Sequence, residues 1–227
     1  MKLAIITGAS RGLGLALARE LAGNDWALVL DARGAEDLHR VARELGRITE
    51  VEAIAGDVRN EAHRRALVDA AGETIDALVN NASVLGPSPQ PVLARYRLAE
   101  LQSVYDANVF APLALIQDAL PRIADGGAIV NVTSDAAVEP YEGWGGYGSS
   151  KAALEQLTAI LAAEQPSLRV YAVDPGDMRT QMHQEAFPGE DISDRPPPEE
   201  SVPGLVELIT GTLPSGRYRS SDVGARV

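Results

Sequence analysis

Leu3-Ala4-Ile5-Ile6-Thr7-Gly8-Ala9-Ser10-Arg11-Gly12-Leu13-Gly14 is the stretch that decides the fold. It opens as an unbroken apolar run, the mark of a strand buried on both faces. Glycines follow at once, and Leu13, Leu17 and Leu21 then fall on one stripe of a helix. Strand, glycine-rich turn and helix in that order make half of a β–α–β unit. Glycines at such a turn let bare N–H groups of a helix N-terminus approach a pyrophosphate. The spacing is G-x-x-x-G-x-G rather than G-x-G-x-x-G, so a plain tight turn is the alternative reading.

The same alternation continues outward. Further strands are expected at residues 26–30, 51–55, 75–80, 127–133 and 168–173, with a short last one at 217–219. Helices are expected at 36–45, from the N-cap Asn60 onward, at about 99–122 and at 147–164. The 99–122 helix contains Pro112, and 86–91 reads as a loop. Repeated β–α alternation predicts an α/β fold: one doubly wound, Rossmann-type parallel sheet with helices on both faces. Such sheets bind ligands at the carboxyl ends of their strands, where the motifs below fall. Residues 1–227 read as one domain. Residues 178–200, with Pro188, Pro196, Pro197 and Pro198 among carboxylates, read as a loop or lid carrying substrate specificity.

Composition excludes several functions. A net charge of −12 argues against nucleic acid and against an anionic membrane surface. The absence of cysteine rules out disulfides and thiolate chemistry and is compatible with the cytoplasm, where we place the protein. No apolar run reaches membrane-spanning length. His39, His63 and His183 sit in separate elements, so no metal site is expected.

Lys151 is one of only two lysines; every other basic side chain apart from Lys2 is arginine. It follows Tyr147 by four residues, on the same helix face, at about 5–6 Å between Cβ atoms. A compact ammonium beside a phenol favours the phenolate and lowers its pKa, which makes tyrosine a proton-transfer group. Ser134 precedes Tyr147 by thirteen residues.

Thr7-Gly8-x-x-x-Gly12-x-Gly14 together with Tyr147-x-x-x-Lys151 resembles the short-chain dehydrogenase/reductase family, and the resemblance spans nearly the whole chain. Asn80-Asn81-Ala82 resembles the family's Asn-Asn-Ala-Gly motif, with Ser83 in place of its glycine. The resemblance implies hydride transfer between a nicotinamide and a small carbonyl or alcohol. It implies Tyr147 as acid/base, Ser134 as the hydrogen bond to the substrate oxygen, and Lys151 as the group holding the ribose. It also implies Asn108 as the holder of a proton-relay water. The cofactor would lie against Gly8, Ser10, Arg11, Gly12, Leu13 and Gly14, with Asp57 and Val58 at the adenine. Asn81, Ala82, Tyr147, Lys151, Pro175, Gly176, Met178 and Thr180 would complete its site.

A ribose 2′-hydroxyl wants a carboxylate after the second strand, and a 2′-phosphate wants arginine. The chain offers Asp31 and Arg33. Arg33 with Arg11 favours NADP(H) over NAD(H), because two guanidiniums can fork a phosphate. Asp31 keeps the hydroxyl reading open. A nicotinamide-binding redox sensor without turnover is the second functional reading. Tyr141 and Trp144 read equally as packing or as substrate contacts, and His183 as a surface histidine. The family implies a homodimer or homotetramer, and Ala- and Leu-rich stretches at 111–115 and 152–161 suit close helix packing.

Overall fold

The computed structural model describes residues 1–224; the last three residues of the expected domain lie outside the described ones. The described residues form a seven-stranded, all-parallel sheet in the order β3-β2-β1-β4-β5-β6-β7. Its strands are β1 (Leu3–Ile6), β2 (Ala27–Ala32), β3 (Val51–Ala55), β4 (Ile75–Asn80), β5 (Ile123–Val132), β6 (Arg169–Asp174) and β7 (Gly216–Arg219). β1 pairs with both β2 and β4, so the strand order reverses beside β1 and opens a crevice there.

Alternation along the strands builds two cores. Ala4, Ile6, Leu28, Leu30, Val79, Val130 and Val173 face α1 (Gly12–Gly23), α2 (Ala35–Leu45) and α8 (Val202–Thr210). Ile5, Val29, Leu78, Ile129 and Val170 face α3 (Glu61–Ala70), α5 (Ala111–Ala119) and α6 (Gly145–Glu164). Asn60 caps α3 as expected, its side chain accepting from the N–H groups of Ala62 and His63. Among the described residues no helix is long and apolar enough to cross a membrane.

Several boundaries differ from the sequence expectation, among them those of β2, β5 and the helix that holds Asn108. β2 runs two residues further, to Ala32, because Asp31 is buried against a partner and does not end the strand. β5 starts at Ile123, four residues early, and its register against β4 shifts between Ile75 and Ala77. Gly126, at φ +72°, sits in that irregularity, where only glycine adopts the backbone without strain. The helix expected over 99–122 is α4 (Leu98–Tyr105), a π turn (Asp106–Phe110), α5 and a 3-10 turn (Leu120–Arg122). Pro112 lies in the first turn of α5, where its missing N–H is tolerated.

Candidate functional site

The crevice at the sheet's carboxyl edge encloses about 1530 Å³ and is lined from the glycine loop to the lid. The loop forms its floor. Gly8 has φ +68°, and a Cβ there would meet Asn81 and Ala82 at 2.9–3.0 Å. A Cβ on Gly14 would press the carbonyl of Gly8. Thr7 and Asn81 lock the end of β4 beneath the loop, Thr7 Oγ1 accepting from the N–H groups of Asn81 and Ala82 at 3.0 Å. α1 starts at Arg11 with no side-chain cap and no acidic residue in its first turn. Its N–H groups are therefore left for an anion.

Arginines gather where β2 and β3 end. Arg33 is exposed on the crevice rim. Arg11, expected beside it as the second half of a phosphate clamp, instead donates to Gln181 Oε1 in α7 (Gln181–Ala186). Arg59 donates to Asp57 at 2.6 Å, and its guanidinium holds that carboxyl well below the ordinary range, at about 2. Asp31 lines the crevice from near the end of β2, almost fully buried, with its Oδ1 2.6 Å from His63 Nε2. Its Oδ2 accepts from the Gly8 N–H at 3.4 Å.

Tyr147, Ser134 and Lys151 converge at the other end. Lys151 is buried and donates to the Val132 carbonyl at 2.8 Å, with Nζ 5.5 Å from the centre of the Tyr147 ring. The expected lowering of the Tyr147 pKa is not found. Burial pushes the phenol above its ordinary value, against the opposing hydrogen bonds of Ser83 and Ser134. Burial also pushes Lys151 down to about 8, with Glu155 opposing. A residue spacing shows who is adjacent but not how dry the site is, and desolvation dominates here. Ser134 lies two residues beyond β5, its Oγ donating to Asp135 Oδ1 at 2.9 Å, and Tyr141 donates to the other oxygen of Asp135 at the same distance.

Asn108 sits in the π turn, fully buried, with its amide saturated. Oδ1 accepts from Val84 N–H at 2.9 Å and Ser83 Oγ at 3.1 Å, while Nδ2 donates to Val84 O at 2.9 Å and Ser150 Oγ at 3.0 Å. The side chain is thus a clamp between the segment after β4 and α6. Asn108→Ala strands buried groups at about 1–3 kcal/mol each. The expected thermal-melt result is a fall on the order of 6–12 °C, about 3 kcal/mol for a chain this size.

Residues 178–187 border this end of the crevice. Thr180 caps α7, accepting from the His183 N–H at 3.3 Å. Phe187 packs on Trp144 at 5.8 Å between ring centres, and Trp144 on Tyr147 at 5.9 Å. His183, expected on the surface, is only 10% exposed and lies 4.9 Å from the Phe187 ring. Pro175, Gly176, Met178 and Thr180 line the crevice from the lid side, and Ser10, Gly12, Leu13, Asp57, Val58 and Ala82 from the sheet side. Among the described residues no cluster could hold a metal ion.

The short chain dehydrogenase family model matches residues 2–191. The chain belongs to the short-chain dehydrogenases. A sepiapterin reductase of Meriones unguiculatus is 36% identical over 79% of this chain and 75% of that protein. A benzil reductase ((S)-benzoin forming) of Saccharomyces cerevisiae is 33% identical over 92% of this chain and 81% of that protein. A short chain dehydrogenase from Shigella flexneri 2a, complexed with NADP, superposes with a TM-score of 0.89 at 27% identity, covering 97% of each chain. This short-chain dehydrogenase is therefore an oxidoreductase of a family acting on small molecules. The glycine cradle, the uncapped α1 and the crevice volume fit a nicotinamide dinucleotide.

Several contributors went unread in the sequence. Arg217, on β7, donates to Glu155 at 2.9 Å and lies 3.5 Å from Asp174, while Arg219 lies 3.3 Å from the same carboxylate. Arg217 also reaches the Ser134 carbonyl at 3.4 Å, so the last strand braces the end of β5. Two arginines at i, i+2 on one face of a short strand were the available signal.

Proposed function

We propose that this short-chain dehydrogenase reduces a neutral carbonyl compound bearing an aromatic or bulky apolar substituent, with NADP(H) as cofactor and Tyr147 as proton donor. The observation that carries this reading is the setting of Tyr147: a buried phenol 5.5 Å from the ammonium of the buried Lys151, packed with Leu85, Trp144 and Met182. When bound, the reduced nicotinamide supplies a hydride to the carbonyl carbon. Charge then builds on the carbonyl oxygen. Tyr147 gives that oxygen its proton, and Ser134 Oγ turns from Asp135 to donate a second hydrogen bond. Lys151 stabilises the phenolate left behind until solvent returns the proton.

The aromatic wall of Tyr141, Trp144 and Phe187 supports a flat or bulky substituent. The rim carboxylates Asp135, Glu142, Asp177 and Glu185 disfavour anionic substrates. Two of the relatives are named for the reduction of sepiapterin and of benzil, which agrees with a carbonyl reductase. Residues 178–200 act as the substrate lid. Arg33 supplies the base for a 2′-phosphate, and the NADP complex of the Shigella neighbour supports that choice. Exposed Leu98, Phe110 and Ile160 on α4, the π turn and α6 support a homo-oligomer.

The test is NADPH oxidation, followed by absorbance, against aryl ketones, alkyl ketones and keto acids. Aryl ketones are expected to turn over fastest and keto acids slowest. NADPH binding without turnover of any carbonyl would instead favour a redox sensor.

The pH profile has a definite sign. Lys151, faced by Tyr147, Glu155, Val132 and the nearby Asp174, titrates at about 8. Below that pH it keeps its charge, and above it the charge is lost. The expected kcat/KM for ketone reduction is level near neutrality and falls by up to about tenfold per pH unit above about pH 8. Lys151→Met is expected to give a low profile without that fall.

A further inference from the structure

Asp31 and His63 form a buried pair that the reaction chemistry does not use. Asp31 is 2% exposed and His63 8%. Asp31 stands near the end of β2 and lines the crevice, whereas His63 stands behind it, in the first turn of α3. The pair is built rather than incidental. Asn60 fixes the turn that carries His63. Gly56 leaves room for the imidazole, since a Cβ at that position would overlap the ring. An ionised Asp31 can only accept, so Nε2 carries the hydrogen between them. The carboxylate is thereby turned with Oδ1 toward α3 and Oδ2 on the Gly8 N–H at 3.4 Å. Around the pair, Asp57 is taken by Arg59, and Arg33 is exposed on the rim.

We propose that His63 is a positioning residue for cofactor choice. It holds Asp31 against α3 and so withholds from the crevice the carboxylate that would otherwise accept a ribose 2′-hydroxyl and repel a 2′-phosphate. The 2′ position is left to Arg33. This explains how a chain carrying an acid near the end of β2 and a base just after it selects between them: the acid is held from behind by a residue of α3. Burial raises the Asp31 pKa, and the hydrogen bond with His63 opposes that rise. The inference rests on the NADP(H) reading above.

The experiment is fluorescence titration of NADPH and NADH on the intact protein, on His63→Phe, on His63→Gln and on His63→Phe combined with Asp31→Asn. His63→Phe keeps a ring beneath Gly56 but removes the donor, and it is expected to lower the NADPH-to-NADH affinity ratio about tenfold. His63→Gln retains an N–H near the Nε2 position and is expected to keep the ratio. The double variant, with no carboxylate to release, is expected to restore it. A merely structural role would weaken both cofactors in parallel and would not be rescued by Asp31→Asn, and that result overturns the proposal. An unchanged ratio in His63→Phe also overturns it, while leaving the NADP(H) reading intact. No NADPH preference in the unmodified protein would sink both. If His63→Phe does not fold, His63→Ala replaces it with the same expected ratios.

Discussion

Tyr147→Phe is expected to lower carbonyl reduction by about 10²–10⁴-fold, the range for loss of a positioned general acid. The ring stays in its packing with Leu85, Ala136 and Trp144, so the fold should survive the change. The variant removes one buried hydroxyl and leaves Ser83 and Ser134 with other partners, Asn108 and Asp135 respectively. Melting temperature should shift by no more than a few degrees, and NADPH affinity by no more than about threefold. Steady-state kinetics beside a thermal melt checks this. Retention of more than about a tenth of the turnover would remove Tyr147 from the chemistry and require another proton donor. Ser134 is then the next hydroxyl in reach of the same crevice.

Arg33→Ala is expected to weaken NADPH binding by about 10–100-fold while leaving NADH within about twofold. The estimate follows from charge-assisted hydrogen bonds to a phosphate, about 1.5–3 kcal/mol. Arg33 carries the larger share because Arg11 is engaged with Gln181 and Arg59 with Asp57. Raising the ionic strength should narrow the wild-type preference, since Arg33 is exposed and its field is screened. Equal loss of both cofactors would place Arg33 on the adenine instead of the phosphate. Side-by-side titrations at two salt concentrations separate these outcomes.

The β–α order of the chain was legible because each strand is a short apolar run and each helix carries a stripe. The glycine loop was legible for the same local reason: its backbone demands lie within eight consecutive residues. What escaped is tertiary. Nothing near Asp31 announces that His63, thirty-two positions later, will pair with it where β2 runs on to Ala32. The π turn at Asn108 was read as ordinary helix because Pro112 and the apolar pattern fit both, and only the Val84 and Ser150 contacts show what the widened turn is for. The pairing of Tyr147 with Lys151 was readable, yet its electrostatics were not. A cation four residues away suggested a lowered phenol pKa, whereas burial of both side chains moves the phenol up and the ammonium down.

The central claim is hydride transfer to a carbonyl carbon with Tyr147 supplying the proton. Its most direct test uses NADPH deuterated at the transferring position of the nicotinamide, incubated with a mixture of aryl and alkyl ketones, with the alcohols analysed by mass spectrometry. The account predicts an aryl alcohol carrying one deuterium on its carbinol carbon, absent when Tyr147→Phe replaces the wild type. Tight NADPH binding with no deuterated alcohol from any ketone would contradict it, as would equal deuterium transfer by the Tyr147→Phe variant.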